Sequence, residues 1–202
     1  MTIENTMNTV PAIYGLVLSG GKSTRMGSDK GALTYYDVPQ REYCYTMLAQ
    51  LCDRVFLSLR KDQQQEIPNT LERVIDVETF RGPFNGILSA HKRFPDKAWL
   101  VVACDLPLLD VNTLKILLRE RDPNRYATAM ATRNTKLPEP LVAIWEPKAL
   151  AGAIGYLQSA EGSSPRKYLV TSDTKLVYPS EDQFLYNANS QEEYHFAKSQ
   201  LK

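Results

Sequence analysis

The chain has 202 residues, with 24 basic and 23 acidic side chains, a formal net charge of +1 and a hydrophobic share of 43%. That length suits a single domain with a sizeable core, and the composition excludes a collagen-like, low-complexity or wholly disordered chain. The balanced charge leaves no global field to recruit nucleic acid or an acidic membrane surface, so neither is expected as a partner.

The apolar runs at 15–18 and 99–104 fall far short of the ~18–20 residues that span a bilayer. The polar N-terminus lacks the basic and apolar regions of a secretory signal. Cys44, Cys52 and Cys104 form no CxxC pair and are too few for a disulfide framework or a four-cysteine zinc site. They read as reduced thiols of a cytoplasmic protein. His91 and His195 lie far apart, without metal-ligand spacing, and read as packing or helix-surface residues.

In chain order, residues 1–10 read as a flexible polar lead and 11–202 as one domain. The continuous apolar run 12–18 predicts a strand buried on both faces; it stops at Ser19-Gly20-Gly21, a turn signal. Helical spacing follows over 42–51, with Pro39 ahead of it as a start signal. Strands are expected at 54–59 and 73–76, a helix at 86–94 and another all-apolar strand at 99–104. An amphipathic helix at 111–121 precedes strands at 126–132 and 141–145. Helices at 148–157 and 165–170, short strands at 175–178 and 184–185, and a helix at 191–198 complete the chain. This alternation predicts an α/β fold: a single Rossmann-like three-layer domain with a mostly parallel sheet.

Chemistry concentrates in the loop after the first strand, LSGGKSTRMGSDK at 18–30. Ligands of open α/β sheets bind beyond the carboxyl ends of strands. A Gly-Gly pair there permits positive φ and close approach by phosphate, and successive N–H groups can form an anion nest. Lys22, Arg25 and Lys30 add three cations, of which arginine can grip phosphate oxygens bidentately. A Walker A loop is excluded because its first glycine would fall at Leu16, and GxGxxG is absent. The second motif is VVACDLP at 101–107, where Asp105 ends a buried strand. A bare carboxylate would repel a polyphosphate, and a divalent cation reverses that sign, so Asp105 reads as a Mg²⁺ ligand. The third, Arg81-Gly82-Pro83-Phe84-Asn85-Gly86, is a turn into a helix whose N-terminus could hold a base or ribose.

These motifs, with NANSQEE at 187–193, resemble the signature of the molybdenum cofactor guanylyltransferases of the MobA-like nucleotidyltransferase group. The likeness runs from about residue 13 to about residue 199. It implies that Leu18, Ser19, Gly20, Gly21 and Lys22 line the nucleotide pocket, with Gly82 and Pro83 in its second turn. Lys30 and Arg25 would contact the triphosphate, Asp76 would lie near the guanine–ribose unit, and Asp105 would take the Mg²⁺. Asn187 and Asn189 would lie near the metal and substrate end. Arg25, Lys30 and Asp105 are the implied catalytic set. Three positions depart from the pattern: Ser19 stands for alanine, Phe84 for leucine, and Ser58 for an asparagine often found after the second strand. Two further stretches, 163–167 with Arg166 and Lys167, and 137–141, are candidates for the second substrate.

The resemblance implies transfer of GMP from GTP to the phosphate of molybdopterin or the molybdenum cofactor, with Mg²⁺ as cofactor, pyrophosphate released, and molybdenum-cofactor carrier or target enzymes as partners. Two alternatives stay open: a cytidylyltransferase acting on the same pterin or on a sugar or alcohol phosphate, and a non-catalytic nucleotide-binding relative. The SGG loop and GPF turn favour guanine over cytosine, and the joint presence of Arg25, Lys30 and Asp105 favours catalysis.

Overall fold

The first apolar run needs cover on both faces, and the sheet supplies its neighbours. A computed structural model describes residues 10–20, 30–77, 79–159 and 162–201. β1 (Ile13–Leu18) lies between β4 (Val55–Leu59) and β6 (Ala98–Ala103), parallel to both. β5 (Arg73–Ile75) pairs in parallel outside β4. Beyond β6 come β8 (Pro138–Trp145), β7 (Ala127–Ala131) and β9 (Thr174–Val177), giving the order β5-β4-β1-β6-β8-β7-β9. β8 is antiparallel to β6 and β7, while β7 and β9 pair in parallel. One strand of the seven is therefore reversed, and the fold is the expected mostly parallel α/β sheet.

Alternate side chains of each strand enter opposite cores. Val17, Leu57, Leu100 and Val102 join α1 (Gln40–Ala49) and α3 (Val111–Arg119) on one face. Leu16, Phe56, Trp99 and Val101 join α2 (Pro83–Arg93), α4 (Pro147–Gln158) and α5 (Pro165–Thr171) on the other. All six residues of β6 are buried, which explains why that strand reads as an unbroken apolar run. Each large side chain so buried contributes about 1.5–3 kcal/mol. A hairpin of β2 (Thr34–Tyr36) and β3 (Val38–Pro39) stands apart from the main sheet. It packs with α6 (Gln191–Gln200) through Tyr35, Leu108, Ala188 and Ala197.

Proline and short polar side chains set the helix starts. Proline occupies the first turn of α2, α4 and α5, where its missing N–H costs nothing. Asp110 caps α3 by accepting from Thr113 N at 2.8 Å, and Ser190 caps α6 by accepting from Glu193 N at 3.2 Å. The structure adds the β2–β3 hairpin and a 3₁₀ turn at Lys61–Glu66, which the sequence expectations did not contain, and differs from the expected elements at three further places. The helix expected from 86 begins at Pro83, because Gly82 turns the chain at φ +63°. The strand expected from 141 begins at Pro138; its prolines precede the β6 pairing, which starts at Val142, so no ladder donor is lost there. The short strand expected at 184–185 is instead the 3₁₀ turn Asp182–Leu185. There the Asp182 carboxylate accepts from Arg133 N and Asn134 N, and the chain bonds to itself. Residues 1–9 of the expected lead lie outside the described residues, and Val10 is exposed. Among the described residues, no helix is long and apolar enough to cross a membrane.

Candidate functional site at the carboxyl edge of the sheet

β1 and β6 end side by side, in register from Ile13–Ala98 to Leu18–Ala103. Cys104 N donates to Leu18 O at 3.4 Å just beyond the last pair. Ser19-Gly20 and Cys104-Asp105 therefore leave neighbouring strand tips at the same edge, where ligands of open α/β sheets bind. Gly21, Lys22 and Arg25 lie outside the described residues. The side chain of Lys30 does too; its backbone opens the short 3₁₀ helix Lys30–Ala32.

Side chains at the β1 tip would have to displace polar side-chain ends. A Cβ on Gly20 would sit 2.7 Å from Asp76 Oδ2, and one on Gly31 2.2 Å from Ser19 Oγ. Asp76 follows β5, and Ser58 Oγ donates to its Oδ1 at 2.6 Å. The serine that stands where the family pattern often has asparagine is thus engaged in orienting this aspartate. Gly86, in the first turn of α2, comes so near that a Cβ would be 2.2 Å from Ser58 Oγ and 2.8 Å from Leu18 Cδ2. Leu18, Ser58, Asp76 and the Gly82–Gly86 turn thus form one corner beside the loop. Gly82 carries a φ that favours glycine, and Pro83 fixes the turn into the helix.

Asp105 stands at the other side of the β1 tip. Its backbone carbonyl accepts from Ala188 N at 2.8 Å, which brings Asn187 and Asn189 to the same tip. Glu193 Oε2 in turn accepts from Asn189 N at 2.7 Å, and Tyr36 Oη donates to Pro107 O at 2.8 Å. Burial, with Tyr194 and Asp105 nearby, pushes the Tyr35 hydroxyl far above its ordinary range, so it stays protonated. The Cys44 thiol, burial and Asp105 likewise hold Cys104 well above the usual thiol range.

A further carboxylate, Glu139, belongs to the 137–141 stretch considered for the second substrate but was not singled out within it. Because β8 runs backwards, its beginning lies at this edge, and Glu139 there is buried. Arg166 Nη2 donates to Glu139 Oε2 at 2.6 Å and Arg166 Nε to Pro138 O at 3.1 Å. Burial raises the Glu139 pKa, Arg166 and Leu141 N–H lower it, and Asp105 raises it again, leaving a net upward shift. Both stretches considered for a second substrate, 137–141 and 163–167, therefore meet at one ion pair. A reversed strand was the missing signal, and nothing in residues 138–140 announces strand direction.

An α/β protein with a glycine turn, an aspartate and two asparagines gathered on the carboxyl tips of its central strands has the layout of a nucleotidyltransferase. The MobA-like NTP transferase domain model matches residues 15–174, and the chain belongs to that family. It is 36% identical over 183 residues to the molybdenum cofactor biosynthesis bifunctional protein of Synechocystis sp., covering 90% of this chain but only 52% of that one, so the chain spans about half of that relative. With the molybdenum cofactor guanylyltransferase of Pseudomonas fluorescens it shares 30% over 192 residues, covering 93% and 94% of the two chains. The crystal structure of molybdopterin-guanine dinucleotide biosynthesis protein A from Archaeoglobus fulgidus shares the fold, with a TM-score of 0.76 at 18% identity over 93% of this chain and 98% of that one.

Proposed function

We propose that the protein transfers GMP from GTP to the terminal phosphate of molybdopterin or its molybdenum form, releasing pyrophosphate and making the guanine dinucleotide cofactor. The observation that carries this reading is the adjacency of the β1 and β6 tips, with the 187–189 segment bonded onto Asp105. The names of the full-length relatives support the same nucleotide and acceptor. An acceptor phosphate oxygen forms a bond to the α-phosphorus of GTP, and the bond from that phosphorus to the bridging α–β oxygen breaks. The acceptor phosphate is already ionised near neutral pH, so no general base is required. The protein's task is positioning and charge stabilisation. Lys22, Arg25 and Lys30 would neutralise the phosphates, Gly20 and Gly21 would admit them closely, and Asp76 with the Gly82-Pro83 turn would hold the nucleoside.

The donor set at Asp105 fits magnesium. Among the described residues no group of three His, Cys, Asp or Glu forms a protein cage. Mg²⁺ commonly binds through one or two carboxylates together with substrate phosphates and water. Asp105, with Asn187 and Asn189 beside it, would hold the ion, which when bound would neutralise charge on the reacting phosphates. On this reading the reaction belongs to the cytoplasm, and the product passes to a molybdenum-cofactor carrier or target enzyme. The test is a panel of GTP and CTP against molybdopterin and a sugar phosphate, with and without magnesium, scored by pyrophosphate release. Turnover is expected with GTP, molybdopterin and magnesium together; equal or faster turnover of CTP rejects the guanylyl assignment.

A further inference from the structure

The two peptides that lead out of β1 are held from behind. Gln63 Nε2 donates to Ser19 O at 3.1 Å, and Arg60 Nη1 donates to Gly20 O at 2.8 Å. The two side chains belong to one unit: Arg60 N donates to Gln63 Oε1 at 3.0 Å, closing the short 3₁₀ turn that follows β4. Asp62 takes Arg60 Nε and Nη2 at 3.1 and 3.2 Å, which orients the guanidinium and leaves Nη1 on the glycine carbonyl. Gln63 is 3% exposed, so its amide has no water to turn to if the bond to Ser19 is lost.

Glycine pairs rotate freely about φ and ψ, and a peptide between them can flip at little cost. A planar trans peptide, however, points its N–H opposite to its C=O. Fixing the Ser19 carbonyl toward Gln63 therefore fixes the Gly20 N–H away from it. We propose that Arg60 and Gln63 are positioning residues for the nucleotide: by gripping the Ser19 and Gly20 carbonyls they set the direction of the amides that meet the phosphates. Neither side chain is assigned to contact the substrate. The inference rests on the nucleotide-binding part of the proposed function.

Gln63→Glu keeps the oxygen that accepts from Arg60 N and removes the amide donor to Ser19, but it also buries a charge, so it is read beside Gln63→Met, which removes the donor without adding charge. The readouts are GTP affinity by calorimetry on the full chain with magnesium, and the KM of each substrate in turnover. GTP affinity should fall about tenfold, the worth of one hydrogen bond to a fixed group. The acceptor KM should stay within about twofold, because the acceptor end is not touched by this pair. Arg60→Met repeats the test at a less buried position should Gln63→Glu fail to fold, and Asp62→Ala should have a smaller effect than either. A folded variant with wild-type GTP affinity overturns the proposal, as does an equal loss toward both substrates. Wild-type protein that binds GTP yet transfers nothing to molybdopterin defeats the proposed acceptor and leaves the clamp standing; wild-type protein that binds no GTP defeats both.

Discussion

Strand β8 carries an arginine–glutamate pair at each end, and the two pairs differ in kind. At its end, Arg121 grips Glu146 through two bonds of 2.7 and 2.9 Å and spends Nη2 also on Pro11 O. That arginine side chain is 12% exposed and the glutamate 1%. At its beginning, Arg166 holds Glu139 with the arginine 48% exposed and the glutamate 10%. The first pair is sealed and ties the segment before β1 to the end of β8, two strands away in the sheet. The second keeps half of a guanidinium open on Glu139, which feels the Asp105 charge, at the edge where the motifs converge. The same two residue types make a sealed staple where water is excluded and a half-solvated pair where it is not.

The sealed pair should give the largest effect. Glu146→Ala strands a buried guanidinium and is expected to cost about 3–5 kcal/mol in chemical denaturation, with GTP affinity of the remaining folded protein unchanged. A loss of under about 1 kcal/mol would place this pair with ordinary surface bridges and dissolve the contrast. Next, Asp105→Asn should lower magnesium-dependent turnover by on the order of 10²–10³ while circular dichroism stays native, the scale of removing one preorganised charge contact. Full activity would remove Asp105 from the metal site.

Glu139→Gln should be milder. Arg166 is half solvated, so stability should fall by only about 1 kcal/mol, while the acceptor KM rises roughly tenfold through loss of a charge-assisted bond and the GTP KM holds. A rise confined to GTP would assign this end of β8 to the nucleotide instead. The smallest effect concerns a buried group with no counter-charge. His91 Nδ1, in the last turn of α2, lacks a hydrogen-bond partner among the described residues. Burial lowers its pKa below the ordinary 6.5. The unfolded chain then binds the proton more readily than the fold, so stability is full above pH 6.5 and declines as pH falls through the lowered value. Denaturation midpoints for wild type and His91→Gln should diverge least at pH 8 and most at acid pH; parallel curves would discard this role.

Legibility followed where the physical signal was local. The buried runs at β1 and β6, the turn after each, and the helices between them were readable because burial on both faces imposes an all-apolar pattern. The corner at Gly20, Asp76 and Gly86 was half readable: the residues could be named, but that Ser58 orients Asp76 required coordinates. Arg60 and Gln63 were missed as site residues, and Glu139 was covered only as part of the 137–141 stretch. Each is an ordinary polar residue in its own stretch, and each reaches the site through a partner more than twenty residues away.

The amino-acid sequence by itself determined that this is a doubly covered, mostly parallel sheet with a glycine turn and an aspartate at strand tips, because periodicity, turn chemistry and motif order are properties of neighbouring residues. Only the tertiary structure decided which tips adjoin, that β8 reverses and delivers Glu139 and Arg166 to the shared edge, and that the 60–63 turn grips the β1 exit. Strand order and direction are settled by how whole layers pack, and no short stretch of chain encodes them alone.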